Sequence, residues 1–308
     1  MDILTDAVAS VRTGNPVSAR TDCRAPWGLR FAEQAGAGFH VVLAGTCWLI
    51  EPGGATTRLG PGDIVFVRSG REHVLADDPG SPVVDYRADL SWPRPPTPSP
   101  ADPGTGPVST ILCGSYLLDQ ERPHPLVATL PPLIHLPARR GRHTALASAV
   151  DLLAAELERP GPGSDGIVAQ LIDLLLLYIL RAWLDEQPDA AAAGWAAALR
   201  DPAIAPALKA IHADPGGTWT VESLGAGVGL SRAAFARRFT ALVGEPPLAY
   251  LTRWRMTTAA SLLRHSDTPI AVVGDRVGYR SEFAFAKAFK RAYGQPPGQY
   301  RRRAREAA

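Results

Sequence analysis

The chain has 308 residues, 46% of them hydrophobic, and a formal net charge of +2. That length favours two domains with ample material for a core. Three cysteines without a secretion signal indicate a reducing cytoplasm, which argues against a stable structural disulfide.

The N-terminal stretch DILTDAVASVR predicts a short amphipathic helix. It contains acidic residues and is therefore not typical of a signal peptide. We expect a cytoplasmic protein without a membrane partner.

From about Trp27 to Leu90 the pattern changes to strands and turns. Segments such as FHVVLAGTCWLIE and DIVFVRS alternate with Gly- and Pro-rich pieces, which predicts a sandwich or small barrel. The run GDIVFVRSGREH, with Gly62, Gly70 and His73, resembles the second motif of the cupin barrel. Arg68 stands where that motif usually has proline.

The first cupin motif is poorly matched, because His40 is present but Val42 replaces the usual second histidine. A three-histidine metal site is therefore disfavoured, and we expect no cofactor. His40, Cys47 and His73 remain candidates for an incomplete metal site, although histidines on strands more often satisfy local hydrogen bonds. A cupin-type metalloenzyme tethered to DNA by its C-terminal region is the alternative function.

The middle of the chain contains breakers and two long apolar segments. Residues Trp92–Pro107 are proline-rich and predict a long exposed loop or a disordered insertion. STILCGSYLLD then predicts the last strand of the barrel. Two helices are predicted at about 142–158 and 165–186, with apolar faces suited to packing on the barrel and on a second subunit. Gln187–Leu199 is the predicted hinge.

A duplicated motif organises the C-terminal third of the sequence. The runs SRAAFARRFTALVGEPPLAY from Ser231 and SEFAFAKAFKRAYGQPPGQY from Ser281 match at a shift of 50 positions. Each begins with a serine suited to an N-cap and follows a short apolar helix and a turn glycine, Gly229 or Gly278. Each copy therefore predicts a helix-turn-helix.

The charges of this region favour a nucleic-acid partner. Residues 200–308 contain 17 Lys and Arg against 8 Asp and Glu, whereas residues 1–199 contain 15 against 22. Lys and Arg contacts release counterions from duplex DNA, so a basic module on an acidic body predicts DNA binding. The helix predicted from Pro246 to about Arg264 would be about 28 Å long. One turn of DNA is roughly 34 Å, so this rod suits two successive major grooves.

These features resemble the DNA-binding region of AraC/XylS-type transcription regulators, over roughly Asp201 to Arg303. The resemblance implies double-stranded DNA and RNA polymerase as partners, and a role in transcription, with activation favoured over repression. By position, the resemblance places base-facing residues in the second helix of each helix-turn-helix, which we call the reading helix. Charged and capping residues beside them complete the set of predicted DNA-binding residues. The predicted DNA-binding residues are Ser231, Arg232, Ala233, Ala236, Arg237, Arg238, Ser281, Glu282, Phe283, Ala286, Lys287, Lys290 and Arg291.

Arg237 and Lys287 are the favoured readers within this set, because both can reach guanine acceptors. Gly225 and Gly227 stand inside the short first helix where the family usually has alanine. We therefore expect that helix to be less rigid.

The N-terminal body resembles the cupin-like sensory domain of one branch of the same family, which includes regulators that respond to reactive chlorine oxidants through two cysteines. Cys23 and Cys113 fall at those positions. Arg24 is expected to lower the pKa of Cys23, whereas the apolar surroundings of Cys113 favour an inert thiol. The alternatives are two ordinary cysteines, one packed and one on a loop, or a small apolar or aromatic effector inside the barrel.

The predicted fold is a two-domain α+β protein. Residues 1–140 form a cupin-like β-barrel, 141–187 a helical dimerisation region, 188–200 a linker, and 201–308 an all-α domain with two helix-turn-helix units. We expect a homodimer.

Overall fold

The computed structural model describes residues 3–11, 16–33, 36–86, 105–116, 124–139, 141–187 and 194–306. They divide into two compact units. The sheet unit comprises Arg12–Pro123 and Leu130–Glu186, and the helical unit comprises Met1–Val11, His124–Thr129 and Gln187–Ala308. Two segments of the predicted 1–140 sensory domain, Met1–Val11 and His124–Thr129, are thus grouped with the helical unit. Most of the predicted Trp92–Pro107 insertion lies outside the described residues.

The sheet unit contains ten described strands: β1 Val17–Arg24, β2 Gly28–Phe31, β3 Ala37–Ala44, β4 Cys47–Ile50, β5 Thr56–Leu59, β6 Ile64–Val67, β7 His73–Ala76, β8 Val84–Asp85, β9 Val108–Tyr116 and β10 Leu133–Leu136. The first sheet has the order β1-β9-β3-β6-β10, and the second has the order β5-β4-β7-β2-β8. The strands begin ten residues before the predicted start at Trp27. The strand predicted in STILCGSYLLD is confirmed as β9, but the prediction that it is the last strand is wrong, because β10 follows it and pairs with β6.

Residues on alternate positions of these strands form the interior core of the sheet unit. Successive side chains of a strand point to opposite faces, so Val65 and Val67 of β6 share one face with each other and not with Ile64 and Phe66. The interior core combines both sheets and is filled by side chains: Cys23, Trp27, Leu29, Phe31, Val42, Cys47, Leu49, Leu59, Val65, Val67, Leu75, Ile111 and Cys113. All three cysteines lie in it.

Two helices, α3 Thr144–Glu158 and α4 Ser164–Glu186, complete this unit and confirm the predicted pair. They pack on each other and against the first sheet, and the Tyr116 hydroxyl donates to the carbonyl of Ile172 at 2.8 Å. By length and composition alone α4 could cross a membrane, and 39% of its most apolar stretch is buried within the chain. A single such helix is weak evidence of a span, since the core helix of a soluble protein passes the same test.

The helical unit contains the remaining described helices: α1 Ile3–Val11, α2 Pro125–Ala128, α5 Trp195–Arg200, α6 Ile204–Ala213, α7 Val221–Ala226, α8 Arg232–Val243, α9 Pro247–His265, α10 Ile270–Arg276, α11 Glu282–Tyr293 and α12 Pro297–Glu306. The helices α7–α8 and α10–α11 are the two predicted helix-turn-helix units. Their turns contain Gly229 at φ 71° and Gly278 at φ 82°, a left-handed conformation that glycine adopts without strain. The predicted rod between them is α9.

A chain of buried polar contacts joins α1 and α2 to the other helices of the helical unit. His212 on α6 lies 3.1 Å from the Asp6 carboxylate and 2.5 Å from the Tyr250 hydroxyl, which lies 3.3 Å from His124 Nε2. The N-cap His124 in turn accepts from the Leu126 N–H at 3.2 Å. Because buried polar groups need such partners, these contacts explain why two segments from the N-terminal part of the sequence fold with the C-terminal part.

Candidate nucleic-acid interface and sensory core

The second helix of the first helix-turn-helix unit, α8, is the first predicted reading helix, and it presents two arginines on its exposed face. Its inner face contains Phe235 and Phe239, both fully buried, as predicted. Arg232 and Arg237 are exposed, and neither forms an ion pair with any residue that the structure describes. Exposed guanidinium groups without a protein partner are available to acceptors of another molecule.

The serines at the start of both reading helices act as caps. Ser231 Oγ accepts from the Ala234 N–H at 3.3 Å, and Ser281 Oγ accepts from the Ala284 N–H at 3.4 Å. They satisfy amides that a helix leaves unpaired at its start. Gly244, at φ 88°, ends the first of these helices in the left-handed region.

Arg238 has an intramolecular partner that the sequence did not indicate. Its Nε and Nη2 donate to Asp201 Oδ2 at 2.8 and 2.6 Å. The other oxygen of Asp201 accepts from the N–H groups of Ala203 and Ile204 at the start of α6. Burial acts to raise the pKa of Asp201, but these hydrogen bonds, first that from Ile204, hold it below its usual value. Arg238 therefore helps to fix α8 on α6.

The second reading helix, α11, exposes an aromatic residue beside its cations. Phe283 is 79% exposed, although Phe285 and Phe289 on the opposite face are fully buried. A single exposed apolar side chain is not unusual on a protein surface, but Phe283 lies one helical turn before Lys287, on the same face of the helix. The other predicted residues on this helix are exposed, except for the half-buried Ala286; the exposed ones are Glu282, Lys287, Lys290 and Arg291. On α8, Ala233 is exposed and Ala236 is half-buried.

In the interior core of the sheet unit, a chain of hydrogen bonds links Cys113 to two histidines. His40 Nδ1 lies 3.1 Å from Cys113 Sγ, and His40 Nε2 lies 2.7 Å from His73 Nε2. His73 Nδ1 lies 2.7 Å from the carbonyl oxygen of Arg71, which can only accept, so His73 donates there. Burial holds the pKa of both histidines below the usual range, well below it for His40, where His73 adds to the effect. Both rings are therefore neutral.

With both rings neutral, the ring and thiol protons can be placed in only one way along this chain of hydrogen bonds. His73 Nε2 must accept, so His40 Nε2 donates to it, and His40 Nδ1 accepts from the Cys113 thiol. In this geometry the candidate metal residues His40 and His73 are hydrogen-bonded to each other, and Cys47 forms no hydrogen bond with either among the described residues. Among the residues that the structure describes, no three His, Cys, Asp or Glu side chains are grouped to hold a metal ion.

The cysteines are neutral thiols in the structure. Burial raises the pKa of Cys23 to about 12, with Asp22 and Cys47 adding to the effect, and burial and Asp63 raise that of Cys47 to about 12. Burial, Cys23 and Cys47 raise the pKa of Cys113. The expectation that Arg24 lowers the pKa of Cys23 is wrong. Neighbouring strand residues point to opposite faces, and the Arg24 guanidinium donates to the Gly106 carbonyl at 3.3 Å.

The positions of Cys23 and Cys113 on paired strands keep them apart. Cys23 lies opposite Ser109, whereas Cys113 lies opposite Ala19. That offset of four residues corresponds to roughly 13 Å along the strand. A disulfide requires Cα atoms within about 7 Å, so these thiols cannot bond directly in this fold. The alternative that placed one cysteine on a loop is wrong as well, because Cys23 is in β1 and fully buried.

Comparison with known proteins agrees with this architecture. Residues 2–185 match a family model described as Cupin, and residues 224–303 match one described as Helix-turn-helix domain. A putative AraC-like transcription regulator of Streptomyces lividans is 34% identical over 98% of this chain and 98% of its own length. The RCS-specific HTH-type transcriptional activator RclR of Escherichia coli is 28% identical over 88% of this chain and 86% of its own length.

Among solved structures, the DNA-binding domain of AdpA, in complex with a target DNA, is 34% identical and covers 35% of this chain and 96% of that chain, with a TM-score of 0.33. The cupin model covers more than half of the chain, and the Streptomyces lividans regulator is 34% identical over nearly its full length. The chain therefore belongs to the AraC family of DNA-binding transcription regulators, with a cupin-like N-terminal domain and a helical helix-turn-helix domain.

Proposed function

We propose that this regulator reads a specific duplex sequence through α8 and α11 placed in two successive major grooves. The observation that carries the proposal is the pair of capped helices. Each has buried phenylalanines on one face, and on the other it has cations that form no ion pair among the described residues. The 19-residue α9 between the units spans about 28 Å, close to one turn of DNA at roughly 34 Å.

Within these helices we assign base reading to Arg232, Arg237, Phe283 and Lys287. Arginine and lysine can donate to guanine O6 and N7, and an exposed phenylalanine can contact the methyl group of thymine. Lys290 and Arg291 lie in the last turn of α11 and are assigned to phosphates. The first unit then contributes more of the base discrimination and the second more of the anchoring.

The functional form is proposed to be a cytoplasmic homodimer that activates transcription with RNA polymerase. Support for the dimer comes from exposed apolar side chains on the helical pair, Leu152 on α3 and Ile167 and Leu174 on α4, which are 58, 44 and 38% exposed. Such residues on one helical pair suit a symmetric contact between two copies.

The proposed signal is an oxidant that reacts at Cys113. RclR, the similar activator from Escherichia coli, is named as RCS-specific. In this chain the Cys113 thiol donates to the neutral His40, which is placed to take its proton when sulfur attacks an electrophile. The raised pKa of Cys113 makes the resting thiol unreactive towards weak oxidants, which favours response to a strong one. A small molecule bound to the sheet unit is the second candidate effector.

Selection of bound sequences from random duplexes tests the proposal, with the full chain in the presence and absence of hypochlorite. We expect one sequence with two half-sites about one helical turn apart, and an affinity for it that hypochlorite changes. Recovery of no common sequence would exclude specific reading. Equal affinity with and without hypochlorite would exclude the oxidant signal and leave the reading helices unaffected.

A further inference from the structure

A groove of about 540 Å³ lies outside the interior core of the sheet unit, between the first sheet and α3. Its floor is one row of side chains across three neighbouring strands. Val41 of β3 lies opposite Ile64 of β6, which lies opposite Leu136 of β10. Val41 and Ile64 point to the face of the sheet opposite to their strand neighbours His40 and Val65, so the groove is separate from the Cys113–His40–His73 chain.

The facing wall of the groove is the first two turns of α3. Leu146 and Val150, four residues apart and buried, share one face of that helix, and Ala147 lies beside them. The volume is within the range of about 300–1,000 Å³ that small-molecule sites occupy, and such sites are mostly apolar with a few polar groups at defined points.

The polar groups of this groove are concentrated at one end. Arg139, Arg142 and His143 precede α3, and Arg139 forms no ion pair with any residue that the structure describes. Arg142 and His143 share a single carboxylate, Glu186, at 3.9 and 3.3 Å. Arg142 is therefore paired with Glu186, whereas the guanidinium group of Arg139 has no such carboxylate among the described residues. The only acid that lines the described groove is Asp151, seven residues beyond Thr144 and so about 10 Å along the helix.

Asp63 holds in place the end of the groove that contains Arg139, Arg142 and His143, here called the cationic end. Its Oδ1 accepts from the Ala138 N–H at 2.7 Å, and its Oδ2 accepts from the Gly60 N–H at 3.0 Å. His135 Nε2 lies 3.5 Å from the same carboxylate. A Cβ on Gly62 would stand 2.9 Å from the Ala138 Cβ, so the loops on the two sides of the groove are in close contact. This end is formed before any ligand arrives.

We propose that the groove binds a small apolar organic anion, with its carboxylate at Arg139 and Arg142 and its hydrocarbon along the Val41–Ile64–Leu136 row. Guanidinium groups pair well with carboxylates, and the apolar row suits the hydrocarbon part of such a guest. The inference deepens the small-molecule alternative of the proposed function, on which its regulatory meaning rests, by naming the chemical class and the site.

Calorimetry with the full chain tests the site, with octanoate, 1-octanol and acetate as probes. We expect one octanoate per chain, 1-octanol at least roughly tenfold weaker because it lacks the charge, and acetate without saturable binding because it lacks the apolar part. Equal binding of octanoate and 1-octanol would overturn the anionic assignment. Several octanoates per chain, or none, would overturn the site.

Substitutions locate the binding. Arg139→Gln should weaken octanoate by roughly tenfold while leaving 1-octanol unchanged. Ala147→Phe should block both probes by filling the groove. Arg159→Gln is the matched control, since Arg159 is exposed just beyond the other end of α3 and lines no part of the groove. Loss of octanoate binding in the control as large as that in Arg139→Gln would show general charge attraction and overturn the proposal.

Duplex binding by the same preparations separates this inference from the proposed function. A chain that binds its selected duplex but not octanoate refutes the groove alone. A chain that binds octanoate as described but selects no duplex refutes the proposed function alone.

Discussion

Arg238 on α8 donates through two guanidinium nitrogens to Asp201, at 2.8 and 2.6 Å, while the adjacent Arg237 has no ion pair among the described residues. Asp201 also caps the start of α6 through the N–H groups of Ala203 and Ile204. Two neighbouring arginines on one helix therefore have different roles, one fixing the helix and the other free to contact a partner.

The first prediction uses this difference. Arg237→Ala should relax the base preference of the first unit by about 1–3 kcal/mol, because it removes a side chain that we propose reads guanine. The free energy of unfolding should be unchanged, since the Arg237 side chain is exposed and forms no ion pair among the described residues. Binding to the selected duplex and to single-base variants, with urea unfolding, measures both effects.

Arg238→Ala is the matched control. Loss of a half-exposed ion pair should lower the free energy of unfolding by about 1 kcal/mol or less while the base preference stays. A changed preference in this variant, with none in Arg237→Ala, would reverse the assignment.

The sequence predicted the helical unit well because its signals are local. The caps Ser231 and Ser281, the turn glycines and the phenylalanine spacing each act within a few residues, so a repeat of the same pattern predicts the same structure twice. Asp201 could not be assigned to Arg238, because 37 residues separate them and only the packed fold brings them together.

The sheet unit was harder to predict for the same physical reason. The alternation over Ile64–Val67 indicates a strand but not its neighbours, and the pairing of Cys113 with His40 depends on the register of β9 against β3. Arg24 illustrates the error that results, since it is adjacent to Cys23 in sequence but lies on the other face of β1. The metal candidates failed because strand register set Cys113, and not Cys47, beside His40.

The second prediction concerns Phe283, which is 79% exposed at the start of α11. Phe283→Ala should weaken binding to the selected duplex by about 1.5–3 kcal/mol if the ring is fully buried against DNA. The free energy of unfolding should not change. Leu248→Ala, at an apolar residue 43% exposed on α9, is the control and should leave binding intact. Unchanged duplex affinity for Phe283→Ala would remove this residue from the interface.

The third prediction concerns Gly225 in α7 and Gly227 at its C-cap. The sequence predicted both to lie inside the helix, which is wrong for Gly227, because α7 ends at Ala226. A Cβ on Gly225 would lie 2.9 Å from the Leu230 carbonyl oxygen and 3.2 Å from the Phe235 Cβ, so glycine permits close packing of α7 on α8. Gly225→Ala should therefore lower the free energy of unfolding by about 1–3 kcal/mol.

Gly227 is the matched control for Gly225. Its backbone is right-handed, at φ −60°, and its nearest contacts for a Cβ are 3.4 and 3.6 Å. Gly227→Ala should be neutral or stabilise by about 0.4–1 kcal/mol. Urea unfolding of both variants measures the difference, and stabilisation by Gly225→Ala would show that the glycine is there for flexibility and not for packing.

The fourth prediction is a loss of stability in acid. Burial holds the pKa of His40 well below its ordinary value near 6.5. Below that pH the unfolded chain therefore binds a proton at this histidine that the folded chain does not bind. His40 thus contributes stability that is full above pH 6.5 and falls as the pH drops below it, by about 1.4 kcal/mol per pH unit. His73 faces it and its pKa is also lowered by burial, so it adds in the same direction.

Urea unfolding at about pH 7.5 and about pH 5.5, on either side of the ordinary histidine pKa, measures this slope. His40→Gln should reduce the difference between the two values, whereas His265→Gln, at an exposed position on α9, should leave it unchanged. An unaltered slope in His40→Gln would mean that another group controls the acid sensitivity.

The fifth prediction tests the oxidant signal at the Cys113–His40 contact. Hypochlorite should change the duplex affinity of the unmodified chain, and Cys113→Ser should abolish this change. Cys47→Ser is the control, because Cys47 is also buried but forms no hydrogen bond with His40 among the described residues. His40→Gln should slow the response, since it removes the group that takes the thiol proton.

The oxidised product distinguishes the chemical routes open to Cys113. The four-residue offset on β1 and β9 excludes a direct bond between Cys23 and Cys113 without a shift of strands, so mass spectrometry of the folded chain should find sulfenic acid at Cys113 first. Cys23→Ser should then leave this first oxidation intact and change only the later oxidation products. A Cys23–Cys113 disulfide as the earliest product would require the two strands to separate on oxidation, and a full response in Cys113→Ser would place the signal elsewhere in the chain.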